Sequence, residues 1–73
     1  MIGEISVWNG DKQYGFINVG KTRFFMNTQS FVEETDRTKI QVGVSVVIGQ
    51  TKPPWNNGEY RVAEKVKLVK HRE

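Results

Sequence analysis

The sequence contains no cysteine and only one histidine, His71, which lies near the end of the chain. Without cysteine, neither a disulfide framework nor a thiolate metal site can stabilise the fold, and no thiol nucleophile is available. A single histidine supplies neither a histidine-based metal cluster nor a catalytic dyad. We therefore predict that the protein is not an enzyme, and that it has no cofactor and no metal site.

Long apolar runs are also missing from the sequence. No stretch approaches the roughly 20 apolar residues of a membrane-spanning helix. The first residues lack the basic region and the apolar stretch of a signal peptide. These absences predict a cytoplasmic protein that has no membrane partner.

The chain is short and moderately basic. Its 73 residues are enough for one small domain with a modest core. Eleven lysines and arginines against eight acidic residues give a formal net charge of +3, which favours a polyanionic partner. Because many basic domains bind nothing anionic, the charge alone leaves the partner open, and the arrangement of side chains has to decide.

Alternating apolar and polar residues predict five short strands and no long helix. The predicted strands span residues 3–8, 12–19, 22–26, 42–48 and 59–69. Turn residues separate the first three strands, and residues 27–39 form a long polar connection with room for one helical turn. Five strands in so short a chain predict an all-β, closed or nearly closed antiparallel barrel, because closure removes exposed sheet edges.

Side-chain alternation groups aromatic residues on one face of the predicted sheet. Tyr14 and Phe16 share a face of the second strand with Lys12, and Phe24 shares a face of the third strand with Met26. We expect Tyr14, Phe16 and Phe24 to lie side by side, as a surface on which unstacked bases can stack. The periodicity equally allows Tyr14 and Phe16 to lie in the barrel core. Five basic residues are predicted to surround the face and contact phosphates: Lys12, Lys21, Arg23, Lys52 and Arg61.

Three segments resemble the cold-shock-domain family. Residues 3–17, GEISVWNGDKQYGFI, are similar to the family opening G-x-V-K-W-F-N-x-x-K-G-F-G-F-I and have the same spacing. Residues 23–27, RFFMN, are similar to the second motif, V-F-V-H-F, and residues 40–46 to L-x-x-G-Q-x-V. The resemblance implies a five-stranded antiparallel OB-fold barrel over residues 1–69, followed by a short basic tail at 70–73. It also implies binding of single-stranded nucleic acid.

The resemblance places five residues on matching family positions: Asn9, Lys12, Tyr14, Phe16 and Phe24. The family uses the last four of these positions to contact nucleic acid. The chain also departs from the family pattern, because the tryptophan position holds a valine, the next position holds a tryptophan, and the histidine and final phenylalanine of the second motif are Met26 and Asn27.

Three further aromatic or sulfur-containing side chains extend the predicted site. Either Trp8 takes over the stacking role or the first strand presents a different surface. Strict alternation from Ile5 and Val7 inward points Trp8 outward, which favours the first alternative. Met26 either lies against a base or fills a gap in the core, and Trp55 either extends the stacking surface or covers the end of the barrel. The predicted nucleic-acid-binding residues are therefore Trp8, Asn9, Lys12, Tyr14, Phe16, Arg23, Phe24, Met26 and Trp55.

The predicted function is sequence-tolerant binding of single-stranded RNA or DNA, by base stacking and phosphate contacts. In the family such proteins act as RNA chaperones or as regulators of transcription or translation. The alternative is a protein-interaction module that has kept the barrel and lost its affinity for nucleic acid, with the same face binding a protein partner. In either case we expect a monomer or a weak dimer. The acidic residues Glu33, Glu34 and Asp36 are predicted to lie in a solvated loop.

Overall fold

A computed structural model describes residues 1–54 and 58–69. The predicted binding residue Trp55 and the predicted tail at 70–73 lie outside this part of the chain. Among the described residues, no helix has the length and the apolar character needed to span a bilayer.

Five strands form one closed barrel. They are β1 (Ile2–Asn9), β2 (Tyr14–Val19), β3 (Thr22–Asn27), β4 (Ser45–Lys52) and β5 (Val62–Leu68). A 3₁₀ turn at Thr28–Ser30 and a short helix, α1 (Glu34–Arg37), lie between β3 and β4. The predicted all-β, five-stranded barrel is confirmed, and its architecture is consistent with the OB-fold type.

The strand order around the barrel is β1-β2-β3-β5-β4, with β4 returning to β1. Four of the five neighbouring pairs are antiparallel, and β3 meets β5 in parallel through Phe25 and Val62. The barrel is therefore antiparallel except at this one junction, which makes its strand polarity mixed. Because β3 and β5 are not consecutive in the chain, the segment before β5 is brought against β3.

Local hydrogen bonding moves two predicted strand starts. Residues 12 and 13 belong to the β1–β2 turn, in which the Gln13 N–H donates to the Asn9 carbonyl at 2.7 Å. Before β4, the Val44 N–H donates back to the Gln41 carbonyl at 3.3 Å. This second turn delays β4 until Ser45.

The barrel interior is filled by apolar side chains from every strand. The buried core comprises Ile5, Ile17, Phe24, Met26, Phe31, Ile40, Val46, Ile48, Ala63 and Val66. Phe31, from the long polar connection, forms a parallel bridge with Val66 of β5. The connection therefore packs against the barrel and contributes to the core.

One residue of the predicted solvated acidic loop is buried. Asp36 in α1 is only 2% exposed, and its Oδ2 accepts a hydrogen bond from the Leu68 N–H at 3.2 Å. The prediction is wrong for Asp36, because its carboxylate satisfies a backbone donor at the end of β5. The exposed Glu34 agrees with the prediction.

We expect Gln13→Gly to stabilise the fold. Gln13 has a φ of +59°, and a left-handed backbone costs a non-glycine residue roughly 1–2 kcal/mol. Glycine removes this strain but loses more backbone entropy on folding, so the free energy of unfolding should rise by about 0.5–1 kcal/mol. Urea unfolding measures the change, which should appear in the midpoint and not in the slope.

Lys12→Gly is the matched control, since Lys12 lies in the same turn and does not have a positive φ. That variant should lose about 0.4–1 kcal/mol from the greater entropy of its unfolded chain. Equal changes for both glycine variants would contradict the assignment of strain to Gln13.

Candidate functional site

Aromatic side chains of β2 and β3 lie together on the outside of the barrel. Phe16 pairs across the strands with Phe25, and their ring centroids are 5.9 Å apart in an edge-to-face arrangement. Tyr14 also stacks on Phe25, with centroids again 5.9 Å apart and planes 20° from parallel. All three rings are partly exposed.

The expectation that Phe24 joins Tyr14 and Phe16 on this face is wrong. Phe24 pairs with Ile17 and is 5% exposed, and Met26 pairs with Gly15 and is fully buried. Cross-strand partners share a face of the sheet, so both side chains point into the core with their partners. Neither Phe24 nor Met26 is placed to contact a base.

The prediction that Trp8 points outward is also wrong, because β1 contains a bulge. Ile5 pairs with Ile17, whereas Val7 pairs with Phe16, so two steps along β1 match a single step along β2. The extra residue reverses the alternation beyond it. Val7 therefore lies outside beside Phe16 and is 39% exposed.

Trp8 faces the barrel interior as a result of the bulge. It pairs with Gly15 and packs, partly buried, against the core. A Cβ built on Gly15 would lie 3.0 Å from Cε3 of the indole and would collide with the Val7 carbonyl oxygen. The absence of a side chain at position 15 thus allows β1 and Trp8 to approach β2 closely.

A fourth ring joins the face where the barrel closes. The Phe25 N–H donates to the Arg61 carbonyl at 2.8 Å, which holds the segment before β5 against β3. Tyr60 then reaches Phe16, with centroids 5.2 Å apart and planes at 68°. We call the four rings the aromatic row: Tyr14, Phe25, Phe16 and Tyr60.

A small pocket lies at the Tyr60 end of the aromatic row. Its volume is about 210 Å³, below the roughly 300–1,000 Å³ of sites that take drug-sized ligands. It is lined by Phe16, Phe25, Gly58, Glu59, Tyr60 and Val62. A single flat ring system has the appropriate size for a ligand of this pocket.

Arg23 is fixed beside the aromatic row by a polar contact. Its Nε donates to Asn18 Oδ1 at 3.2 Å, and the same oxygen accepts from Ser6 Oγ at 3.2 Å. The guanidinium carbon lies over the Phe16 ring, 5.4 Å from its centroid. The predicted basic residue Arg23 is therefore brought to the rings by β3.

The structure gives three other predicted polar residues different roles. Lys12 is exposed in the β1–β2 turn. Asn9 Oδ1 accepts from the N–H groups of Asp11 and Lys12, each at 3.1 Å, so its oxygen holds that turn. Lys52 pairs with Glu64 at 3.0 Å.

Sequence reasoning missed Phe25, Tyr60 and the outward position of Val7. The Gly20-Lys21 turn carried a usable signal for Phe25: a two-residue loop pairs Val19 with Thr22, so Phe16 has to face Phe25. No local pattern indicated Tyr60, because its position depends on the parallel β3–β5 junction.

This arrangement offers aromatic faces and edges, one cation held over a ring, and a ring-sized pocket. Comparison with known proteins finds no matching protein-family model and no matching curated protein. Within the described residues, no group of three or more histidine, cysteine or acidic side chains is placed to hold a metal ion. The surface is chemically suited to binding flat, unsaturated rings that carry negative charge nearby.

Gly15→Ala should strongly destabilise the barrel. The added methyl group would collide with the Val7 backbone, and backbone cannot give way as a flexible side chain can. We expect the free energy of unfolding to fall by at least about 2 kcal/mol, measured by urea or thermal unfolding.

Gly10→Ala is the control, because its new methyl group would meet only Trp8 Nε1, at 3.8 Å. Its stability should stay within about 0.5 kcal/mol of wild type. Tolerance of both substitutions would contradict the close approach of β1 to β2.

Proposed function

We propose that the protein binds single-stranded RNA or DNA along the aromatic row, with bases stacked on the rings and phosphates near Arg23. The observation that carries the proposal is the continuity of the row, in which neighbouring centroids are 5.2 to 5.9 Å apart. Four partly exposed rings in succession offer a surface that successive unstacked bases can cover. Stacking of one base contributes about 1–3 kcal/mol and accepts any base.

The charge around the row supports a polyanionic partner. Arg23 lies over Phe16, Lys12 and Lys21 are exposed at the turns that flank β2, and the whole chain carries a net charge of +3. Arginine combines phosphate contacts with stacking on flat rings. We propose that these cations neutralise phosphates while the rings hold the bases.

The family resemblance also supports the proposal, after one change of register. The second motif V-F-V-H-F can also be aligned with Phe24–Thr28, one residue later than residues 23–27. Its first phenylalanine then falls on Phe25, which lies in the row. The first motif puts Val7 on the family's tryptophan position. We propose a divergent cytoplasmic cold-shock protein whose platform lacks the tryptophan ring at this position and the two rings that end the second motif, where the chain has Asn27 and Thr28.

Binding to a fluorescently labelled oligothymidine, followed by anisotropy, tests the proposal. Tyr14→Leu and Phe25→Leu keep apolar bulk but remove an aromatic ring, so each should weaken binding about 5- to 150-fold. The logarithm of affinity should fall with the logarithm of salt by about 0.7 per neutralised phosphate. Trp8 faces inward, so anisotropy is a better signal here than quenching of its fluorescence.

Val42→Ala is the control, since Val42 is exposed outside the row, and its affinity should be unchanged. Absence of binding by wild type at low salt would refute the proposal. If Tyr14→Ala, Phe16→Ala left nucleic-acid binding intact but abolished capture of a protein partner, the row would be a protein-binding surface.

Val7→Trp should strengthen binding by restoring a ring beside Phe16. Val7 is 39% exposed and pairs directly with Phe16, so an indole there would extend the row to β1. We expect affinity for oligothymidine to rise by about fivefold or more, corresponding to one further stacked base. Anisotropy titration measures the gain.

Val47→Trp provides a matched control, because Val47 is a strand valine that is 38% exposed and pairs with Ile2 and Lys67, away from the row. Its affinity should not change. Equal gains in both tryptophan variants would mean that added apolar surface, and not extension of the row, strengthens binding.

A further inference from the structure

The pocket at the Tyr60 end of the aromatic row differs from the rest of the row in its charge. Phe16, Phe25 and Tyr60 supply aromatic walls, and the buried Val62 supplies an apolar base. Among the described lining residues, Glu59 is the one charged side chain. No salt bridge to a described residue neutralises its carboxylate.

A carboxylate at this position disfavours the phosphates of a nucleic acid and the base edges that present hydrogen-bond acceptors. It repels phosphate, so the backbone is not expected to enter the pocket, whereas a base can enter and lie against the rings. An ionised carboxylate only accepts hydrogen bonds. The edge of the base that meets Glu59 therefore has to present donors.

The four common bases differ in the donors on their pairing edge. Guanine presents two adjacent donors, N1–H and the N2 amino group, which match the two oxygens of a carboxylate. Adenine and cytosine each present one amino group next to an acceptor nitrogen. Thymine and uracil place a single N–H between two carbonyl oxygens, and both of those oxygens are repelled by the carboxylate.

We propose that this pocket is a guanine-preferring subsite and that Glu59 determines the preference. The inference rests on the proposed function, since it assigns a base to one end of the same nucleic-acid surface. Stacking along the rest of the row stays tolerant of sequence, whereas this end reads one base by paired hydrogen bonds. A good bidentate contact of this kind discriminates between bases by about fivefold or more.

The experiment compares labelled hexathymidine with hexamers that carry a single guanine, adenine or cytosine at each position in turn. For wild type, guanine at one position should tighten binding by about fivefold or more over thymine. Glu59→Gln replaces two acceptors by one donor and one acceptor, a pair that suits thymine. In that variant the guanine preference should fall below about twofold, while binding of hexathymidine should not weaken.

Glu34→Gln is the matched control, because it removes the same charge from an exposed glutamate of α1, which does not line the pocket. Its guanine preference should equal that of wild type. If hexathymidine binds but no position favours guanine, or if Glu59→Gln keeps the preference, the subsite is refuted and the proposed function stands. If no oligonucleotide binds wild type, the proposed function itself fails.

Discussion

The two-residue turn between β2 and β3 determines which side chains of this barrel meet solvent. Gly20 has a φ of +60°, the positive value that the first position of a type II′ hairpin turn requires. The turn places Val19 opposite Thr22, and every later pair follows from it, so Phe16 meets Phe25 and Ile17 meets Phe24. A shift of one residue would bury Phe25 and expose Phe24.

A β-bulge sets the register of β1 against β2. The bulge between Ile5 and Val7 reverses the faces of the rest of the strand, so Ile5 and Trp8 both contribute to the interior. Gly15 makes room for that reversal, because any side chain there would meet the backbone of β1. The turn and the bulge together place Val7, Phe16 and Phe25 on one outer surface.

The local sequence pattern was sufficient to predict the barrel, but it did not predict the position of every side chain on the aromatic surface. Alternation and turn residues predicted five strands, since both signals act over a few neighbouring residues. The face of Phe25 was predictable from the length of the Gly20-Lys21 turn, although simple alternation within β3 pointed to Phe24. The bulge before Val7 and the position of Tyr60 were not predictable in this way, because one depends on contact with Gly15 and the other on closure between distant strands.

Phe16 is the residue at which these separate constraints meet. Its ring contacts Phe25 across the hairpin, Tyr60 across the barrel closure and the guanidinium of Arg23. Each neighbour covers part of an otherwise exposed apolar ring, which reduces the cost of displaying it in water. The same contacts restrict the rotamers of the rings, so less side-chain entropy would be lost if a ligand covered them. Because the rings contact one another, removal of one ring changes the packing of the next. The effects of substitutions within the row are therefore expected to be non-additive.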